Sequence, residues 1–187
     1  MGDSWYIISI MKILIASDIH GSYYYAKKLI DIYNADKYDK FVILGDILYH
    51  GPRNDLPKDY DPKKVIILLN NISNNIIAVK GNCEAEVDQM VLDFDVSSDH
   101  STLFIDNHMF YLTHGHHTFP NLKKHDILLT GHTHIPLYEL LDNNVHHLNP
   151  GSVSLAKGGF KNSYMIYENN SFVVYDFDNN IILETTI

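Results

Sequence analysis

Residues 12–20 read Lys12-Ile13-Leu14-Ile15-Ala16-Ser17-Asp18-Ile19-His20. A short, nearly unbroken apolar run suits a buried strand. Asp18 and His20 stand at its carboxyl end. If the two continue the strand, its two-residue period puts both on one face. The arrangement recurs along the chain: Asp46 follows FVILG, Asn82 follows IIAVKG, His114 follows MFYLT, and His132 and His134 follow DILLTG. Ligands in open α/β sheets gather at the carboxyl ends of strands, so the five segments can converge on one spot. Oxygen and imidazole donors together suit a divalent first-row metal better than a packed core. Seven donors are too many for one ion, but sharing one between two ions leaves four apiece. Paired ions roughly 3.5–4 Å apart are a device for hydrolysing phosphate esters.

Outward from these stretches, Ala26, Leu29, Ile30 and Tyr33 keep a helical period, which predicts a helix from Ser22 to about Asn34. Val65, Leu68, Leu69 and Ile72 repeat the spacing, with Asp61 as cap and Pro62 in the first helical position. Strand, helix, strand, helix, strand implies a parallel or mixed sheet. The second half changes character. Strand-like runs at 102–106, 108–113, 135–141, 145–149, 164–168 and 172–177 are joined by short polar turns. Asn143-Asn144, Asn169-Asn170 and Asn179-Asn180 suit tight turns, because Asn tolerates positive φ. These runs are expected to make a second, mostly antiparallel sheet, packed on the first in an α/β sandwich with helices outside. The segment 50–61 is the one loop rich in Pro and Gly, and it follows Asp46.

Asp18-Ile-His20, Gly45-Asp46, Gly81-Asn82, His114-Gly115 and Gly131-His132-Thr133-His134 together resemble the calcineurin-like metallophosphoesterase pattern, in order over 117 residues. The stretches GDILYHGPRN, VKGNCEAEVDQM, GHTHIP and LNPGSVSLAKGG look closer still to small bacterial phosphodiesterases of that family. The resemblance implies a four-layer α-β-β-α sandwich of two mixed β-sheets flanked by helices. It implies a first ion on Asp18, His20 and His134, a second on Asn82, His114 and His132, and Asp46 bridging both. It suggests manganese as the working metal, although zinc, iron or cobalt would accept the same donors. The chemistry expected is in-line attack on phosphorus by a water or hydroxide held between two divalent ions.

Cys83 departs from the broader superfamily, in which a histidine after Gly-Asn is thought to protonate the leaving group. A thiol does not match imidazole in reach or geometry. Either the substrate has a good leaving group, or another histidine serves, and His116 and His117 are placed for it. Arg53, in the loop after Asp46, can clamp a phosphate oxygen bidentately. The catalytic candidates are thus Asp46, Cys83, Arg53 and His116.

The formal charge of −9 includes no basic run, which counts against a long nucleic-acid ligand and not against a small phosphoester. No apolar run approaches membrane-spanning length. A lone cysteine cannot make an intramolecular disulfide, so the cytoplasm is the default compartment. The first strand begins after Met11, which marks residues 1–10 as an extension and Met11 as a second start. Residues 11–187 then form one metallophosphoesterase domain, and a homo-oligomer would follow the family. The primary expectation is a phosphodiesterase for a small soluble diester. The alternatives are a phosphomonoesterase or nucleotide pyrophosphatase on the same site, and a retromer-subunit-like protein-binding scaffold. The scaffold is disfavoured because every ligand position is filled.

Overall fold

The computed structural model describes residues 11–118 and 121–187, so the expected extension 1–10 lies outside the described residues. In chain order the strands are β1 (Lys12–Ala16), β2 (Lys40–Ile43), β3 (Ile76–Ala78), β4 (His100–Ile105), β5 (His108–Thr113) and β6 (Ile127–Leu129). They continue with β7 (Pro136–Leu141), β8 (Val145–Pro150), β9 (Ser163–Glu168), β10 (Ser171–Asp176) and β11 (Ile181–Thr186). Helix α1 (Tyr23–Ala35) starts where Ser22 accepts the Tyr25 N–H, and Ala26, Leu29, Ile30 and Tyr33 face inward. Helix α2 (Pro62–Asn70) starts where the Asp61 carboxylate accepts the Lys64 N–H at 3.2 Å. Each side-chain cap satisfies an amide that the first turn leaves without a helical partner.

Two mixed sheets stack face to face with helices flanking, which is the α/β sandwich that the sequence implies. One has the order β11-β10-β9-β1-β2-β3 and the other β4-β5-β6-β8-β7. β1, β2 and β3 run parallel, as do β5, β6 and β8. The odd and even residues of β1 explain its composition. Ile13 and Ile15 enter the core between the sheets with Phe110, Leu112 and Leu129. Leu14 and Ala16 enter the other core, beneath Leu29, Val65 and Leu69 of the helices. A strand buried on both faces has no polar side to alternate with. Each fully buried aliphatic side chain contributes roughly 1.5–3 kcal/mol by leaving water.

Two expectations are corrected. The strands of the second half do not form one antiparallel sheet. β9, β10 and β11 join the first sheet, with β9 antiparallel to β1, and the second sheet contains the parallel run β5-β6-β8. Apolar alternation gives a strand's faces but not its neighbours, and the Asn179 turn is followed by a further strand, β11. The Asn turns themselves stand: Asn143, Asn144, Asn169, Asn170 and Asn179 all have positive φ. The second correction concerns Asp18 and His20. Both lie past the end of β1 with φ of 58° and 49°, so a turn, not a continuing strand, directs them. No helix among the described residues is long and apolar enough to cross a membrane.

Candidate metal centre

Parallel β1, β2 and β3 deliver Asp18, His20, Asp46 and Asn82 to one edge of the first sheet. Parallel β5 and β6 deliver His114, His132 and His134 from the second. Backbone bonds carry the β1–β2 pairing into the loops: Asp18 N–H donates to the Gly45 carbonyl and His20 N–H to that of Asp46. The sheets are joined where the His132 N–H donates to Asp18 Oδ2 at 3.0 Å. Asp18, His20, Asp46, His132 and His134 all hold positive φ. For residues other than glycine that conformation costs on the order of 1 kcal/mol each, and such strain concentrates at functional sites. Gly45, at φ 86°, has no such freedom to carry a side chain. A Cβ there would lie 2.6 Å from the Gly81 nitrogen and 2.9 Å from His114 Nδ1.

Three backbone carbonyls set the histidine tautomers. Nδ1 of His20 faces the Tyr49 carbonyl at 2.7 Å, Nδ1 of His114 that of Leu44 at 2.6 Å, and Nδ1 of His134 that of Leu155 at 2.6 Å. A carbonyl only accepts, so each Nδ1 carries a proton, and each Nε2 is the atom left to take a cation, which is a metal ion or, without one, a second proton. The Nε2 atoms face one another and acceptor oxygens. His20 Nε2 and His134 Nε2 are 3.2 Å apart, and His114 Nε2 lies 3.2 Å from Asn82 Oδ1. Asp18 Oδ1 is buried with no hydrogen bond, 3.1 Å from His134 Nε2 and 3.4 Å from His20 Nε2. Acceptors pressed against acceptors in a buried place call for a cation between them. Asp18, His20 and His134 form one group able to hold an ion, and Asp18, Asp46 and His114 another. The donor set therefore fits divalent metal ions.

The same field shows in the titrations. Burial would raise the Asp18 carboxyl, but His134 and His20 hold it far below the usual carboxylate range. Burial would lower His114, but the Asp46 and Asp18 carboxylates and the Leu44 carbonyl raise it to about 9. His132 is pushed down by burial and by neighbouring His114.

A cavity of about 300 Å³ opens above this cluster, walled by Asp46, Asn82, His132 and His134 and, from two loops, by Arg53, Asn54 and Lys157. A larger depression of about 780 Å³ beside Leu122, Leu140 and Val145 has no imidazole in its walls. Asn82 is exposed and His132 half-buried, so the Asn82–His132 side is the open one. Cys83 Sγ belongs to a group with His20 and Asp46, and its amide donates to Asp46 Oδ1 at 2.8 Å. Burial and the Asp46 charge raise its thiol, which stays protonated at neutral pH. His116 is outside the cavity wall. Its ring lies 5.3 Å from that of His114 and 3.9 Å from that of His117, and its buried Nδ1 has no partner. Burial and then His114 lower its pKa. His50 packs edge-on between Tyr49 and Tyr60.

Four further residues brace the ligand loops or face the cavity. Glu84 is buried and accepts amides from two ligand loops: Asp46 N at 2.9 Å, Ile47 N at 2.5 Å and Gly81 N at 2.5 Å. Asn149 donates to the Gly131 carbonyl at 2.7 Å, and Ser152 to the Asp18 carbonyl at 2.9 Å. Lys157, which lines the cavity, is the fourth. Glu84 directly follows Gly81-Asn82-Cys83, and Asn149 and Ser152 frame Pro150-Gly151, but the contacts of Glu84 with Asp46 and Ile47 span 38 and 37 residues and those of Asn149 and Ser152 span 18 and 134, which leaves no local signature.

Known proteins resemble this chain in sequence and share its fold. The profile of the calcineurin-like phosphoesterase superfamily domain matches residues 11–171. Phosphodiesterase YfcE of Escherichia coli (strain K12) is 41% identical over 182 residues, covering 95% of this chain and 98% of the relative. The solved structure of the E. coli phosphoesterase superposes with a TM-score of 0.91, covering 95% of this chain and 100% of the other. Phosphodiesterase MJ0936 of Methanocaldococcus jannaschii is 29% identical over 152 residues, 75% of this chain and 83% of the relative. The zinc complex of Vps29 from Entamoeba histolytica, 21% identical with a TM-score of 0.61 over 94% of this chain and 99% of the other, shares the fold. The chain belongs to the calcineurin-like phosphoesterase superfamily and is a metallophosphoesterase.

Proposed function

We propose that residues 11–187 form a phosphodiesterase domain that hydrolyses a small soluble phosphodiester with two divalent ions. Asp18, His20 and His134 would hold one ion, Asn82, His114 and His132 the other, with Asp46 shared. The observation that carries this reading is the set of Nε2 atoms aimed at one another and at Asp18 Oδ1, with each Nδ1 committed to a carbonyl. When bound, the ions supply an acidified water as nucleophile and neutralise charge on the phosphoryl oxygens. Manganese is the metal proposed, by family analogy, since zinc, iron and cobalt suit the same donors.

The chain's own groups then orient the substrate. Arg53 and Asn54 reach the cavity from the loop after Asp46, and the Arg53 guanidinium suits a phosphoryl oxygen. Cys83 retains its proton but is a weak acid, and His116 is held neutral, so it has little proton to give. Both facts favour esters with good leaving groups. Two relatives named as phosphodiesterases favour the diester over the monoester. The cytoplasm is the proposed compartment, and a homo-oligomer is proposed by analogy.

The test is hydrolysis of an activated aryl phosphodiester and its monoester counterpart with manganese, and then with chelator. Manganese-dependent cleavage favouring the diester is the expected result. Preference for the monoester would make the protein a phosphatase. Absence of both activities in metal-loaded protein would point to the scaffold.

A further inference from the structure

Lys157 stands on a loop built against the metal-binding turn. Its amide donates to the His134 carbonyl at 3.1 Å, and two residues earlier the Leu155 carbonyl receives His134 Nδ1. The loop is closed on itself by Asn162, whose carbonyl oxygen takes the Ala156 N–H at 2.9 Å and whose amide donates to the Ser154 carbonyl. The backbone at 157 is therefore held in place relative to His134, and its side chain enters the same cavity as Arg53.

Neither cation is neutralised. Among the described residues no carboxylate pairs with Lys157 or Arg53. Other lysines also lack a carboxylate partner; what sets Lys157 and Arg53 apart is that both line the cavity over the metal-binding donors. In a chain with 23 acidic residues against 14 basic ones, two unpaired cations in one small cavity mark a place for an anion.

The charge count says which anion, and here the inference rests on the two-ion reading above. Two divalent ions exceed Asp18, Asp46 and Glu84 by one positive charge, which one phosphodiester anion balances. Arg53 and Lys157 remain, with two charges for the departing half of the substrate. An alkoxide leaving group needs a proton, and among the described residues the only imidazoles in the cavity wall are His132 and His134, which the two-ion reading commits to metal, with the Cys83 thiol beside His20 and Asp46. A phosphate monoester, whose second pKa is about 6, leaves without one. As it departs it gains a second negative charge, which the two cations match.

We propose that Arg53 and Lys157 bind a second phosphate attached to the scissile phosphorus through the leaving oxygen, so that the preferred substrates are diesters of pyrophosphate. In the reaction the water oxygen bonds to the attacked phosphorus and the bond from that phosphorus to the bridging oxygen breaks. The electron pair stays on the bridging oxygen, which departs in the second monoester. The two protons of water pass to solvent as both products ionise.

The experiment compares kcat/KM for a dinucleoside pyrophosphate and for an activated aryl phosphodiester in wild type, Lys157→Ala, Lys157→Arg and Arg53→Ala. Calorimetric binding of the non-hydrolysable methylene-bridged analogue to the metal-loaded proteins accompanies it. Lys157→Ala should lose about tenfold more on the pyrophosphate diester than on the aryl diester, chiefly in KM, and weaken the analogue by a similar factor. Lys157→Arg should restore most of both. Equal losses on the two substrates, or wild type that cleaves the aryl diester but not the pyrophosphate diester, would overturn the proposal. Wild type that cleaves neither with metal bound would instead refute the phosphodiesterase reading.

Discussion

Glu84 provides the sharpest test of how the ligand loops are held. Its two oxygens take three amides, from Asp46, Ile47 and Gly81, in a place where only 8% of the residue meets solvent. Burial and then the Asp46 charge raise its pKa, so its carboxylate is kept there at a cost that the three N–H groups offset. In Glu84→Gln the amide oxygen can sit where Oε2 is and keep Asp46 and Gly81, but the NH2 then faces the Ile47 N–H. One buried donor without an acceptor costs about 1–3 kcal/mol. Glu84→Ala leaves three, and with water entering the gap about 4 kcal/mol is expected. Urea unfolding of chelator-treated protein should show these losses as shifts in midpoint at constant slope. Metal affinity should fall about tenfold or more in both variants, since the clamped loops carry Asp46 and Asn82. If both variants unfold within about 0.5 kcal/mol of wild type and bind metal equally well, Glu84 is not the clamp described.

Other perturbations should act as follows. Asp46→Asn should lose most turnover and metal affinity together; full turnover with both ions bound would refute its bridging role. Gly81→Ala would drive a methyl group into the Asp46 carboxylate and within 2.7 Å of Glu84 Oε2, so metal content after dialysis should fall and the melting temperature should drop by several degrees. Far from the centre, Asp176 offers a pH test. Burial would raise its carboxyl, but the Asn180 side chain and amide, Lys161 and the Asp178 N–H lower it strongly. Its folded pKa lies below the unfolded value of about 3.9, so its stabilisation is complete above that value and lost as pH falls through the folded pKa. Asp176→Asn should therefore flatten the decline in urea midpoint between about pH 5 and pH 2. An unchanged slope would show that Asp176 contributes nothing to acid lability.

The strands and helices were legible because their burial is periodic: β1 is buried on both faces and reads as unbroken apolar sequence, and α1 shows its inward stripe at Ala26, Leu29, Ile30 and Tyr33. The convergence of the seven donors was legible because parallel strands end at one edge. Sheet membership was not, since β9 to β11 alternate as well on one sheet as on another. Nor were the positive φ values of Asp18 and His20, which depend on Gly45 and Asp46 lying alongside. Glu84 and Lys157 were missed because the Asp46 loop that Glu84 grips, 37 and 38 residues away, and the cavity that Lys157 lines are brought near them only by the folded chain.

The central claim is that Asp46 joins two ions. Manganese titration followed by metal analysis and electron paramagnetic resonance tests it most directly. Two ions per chain, magnetically coupled in wild type and uncoupled or reduced to one in Asp46→Asn, is the predicted result. A single ion in wild type, or two ions that are never coupled, would contradict it.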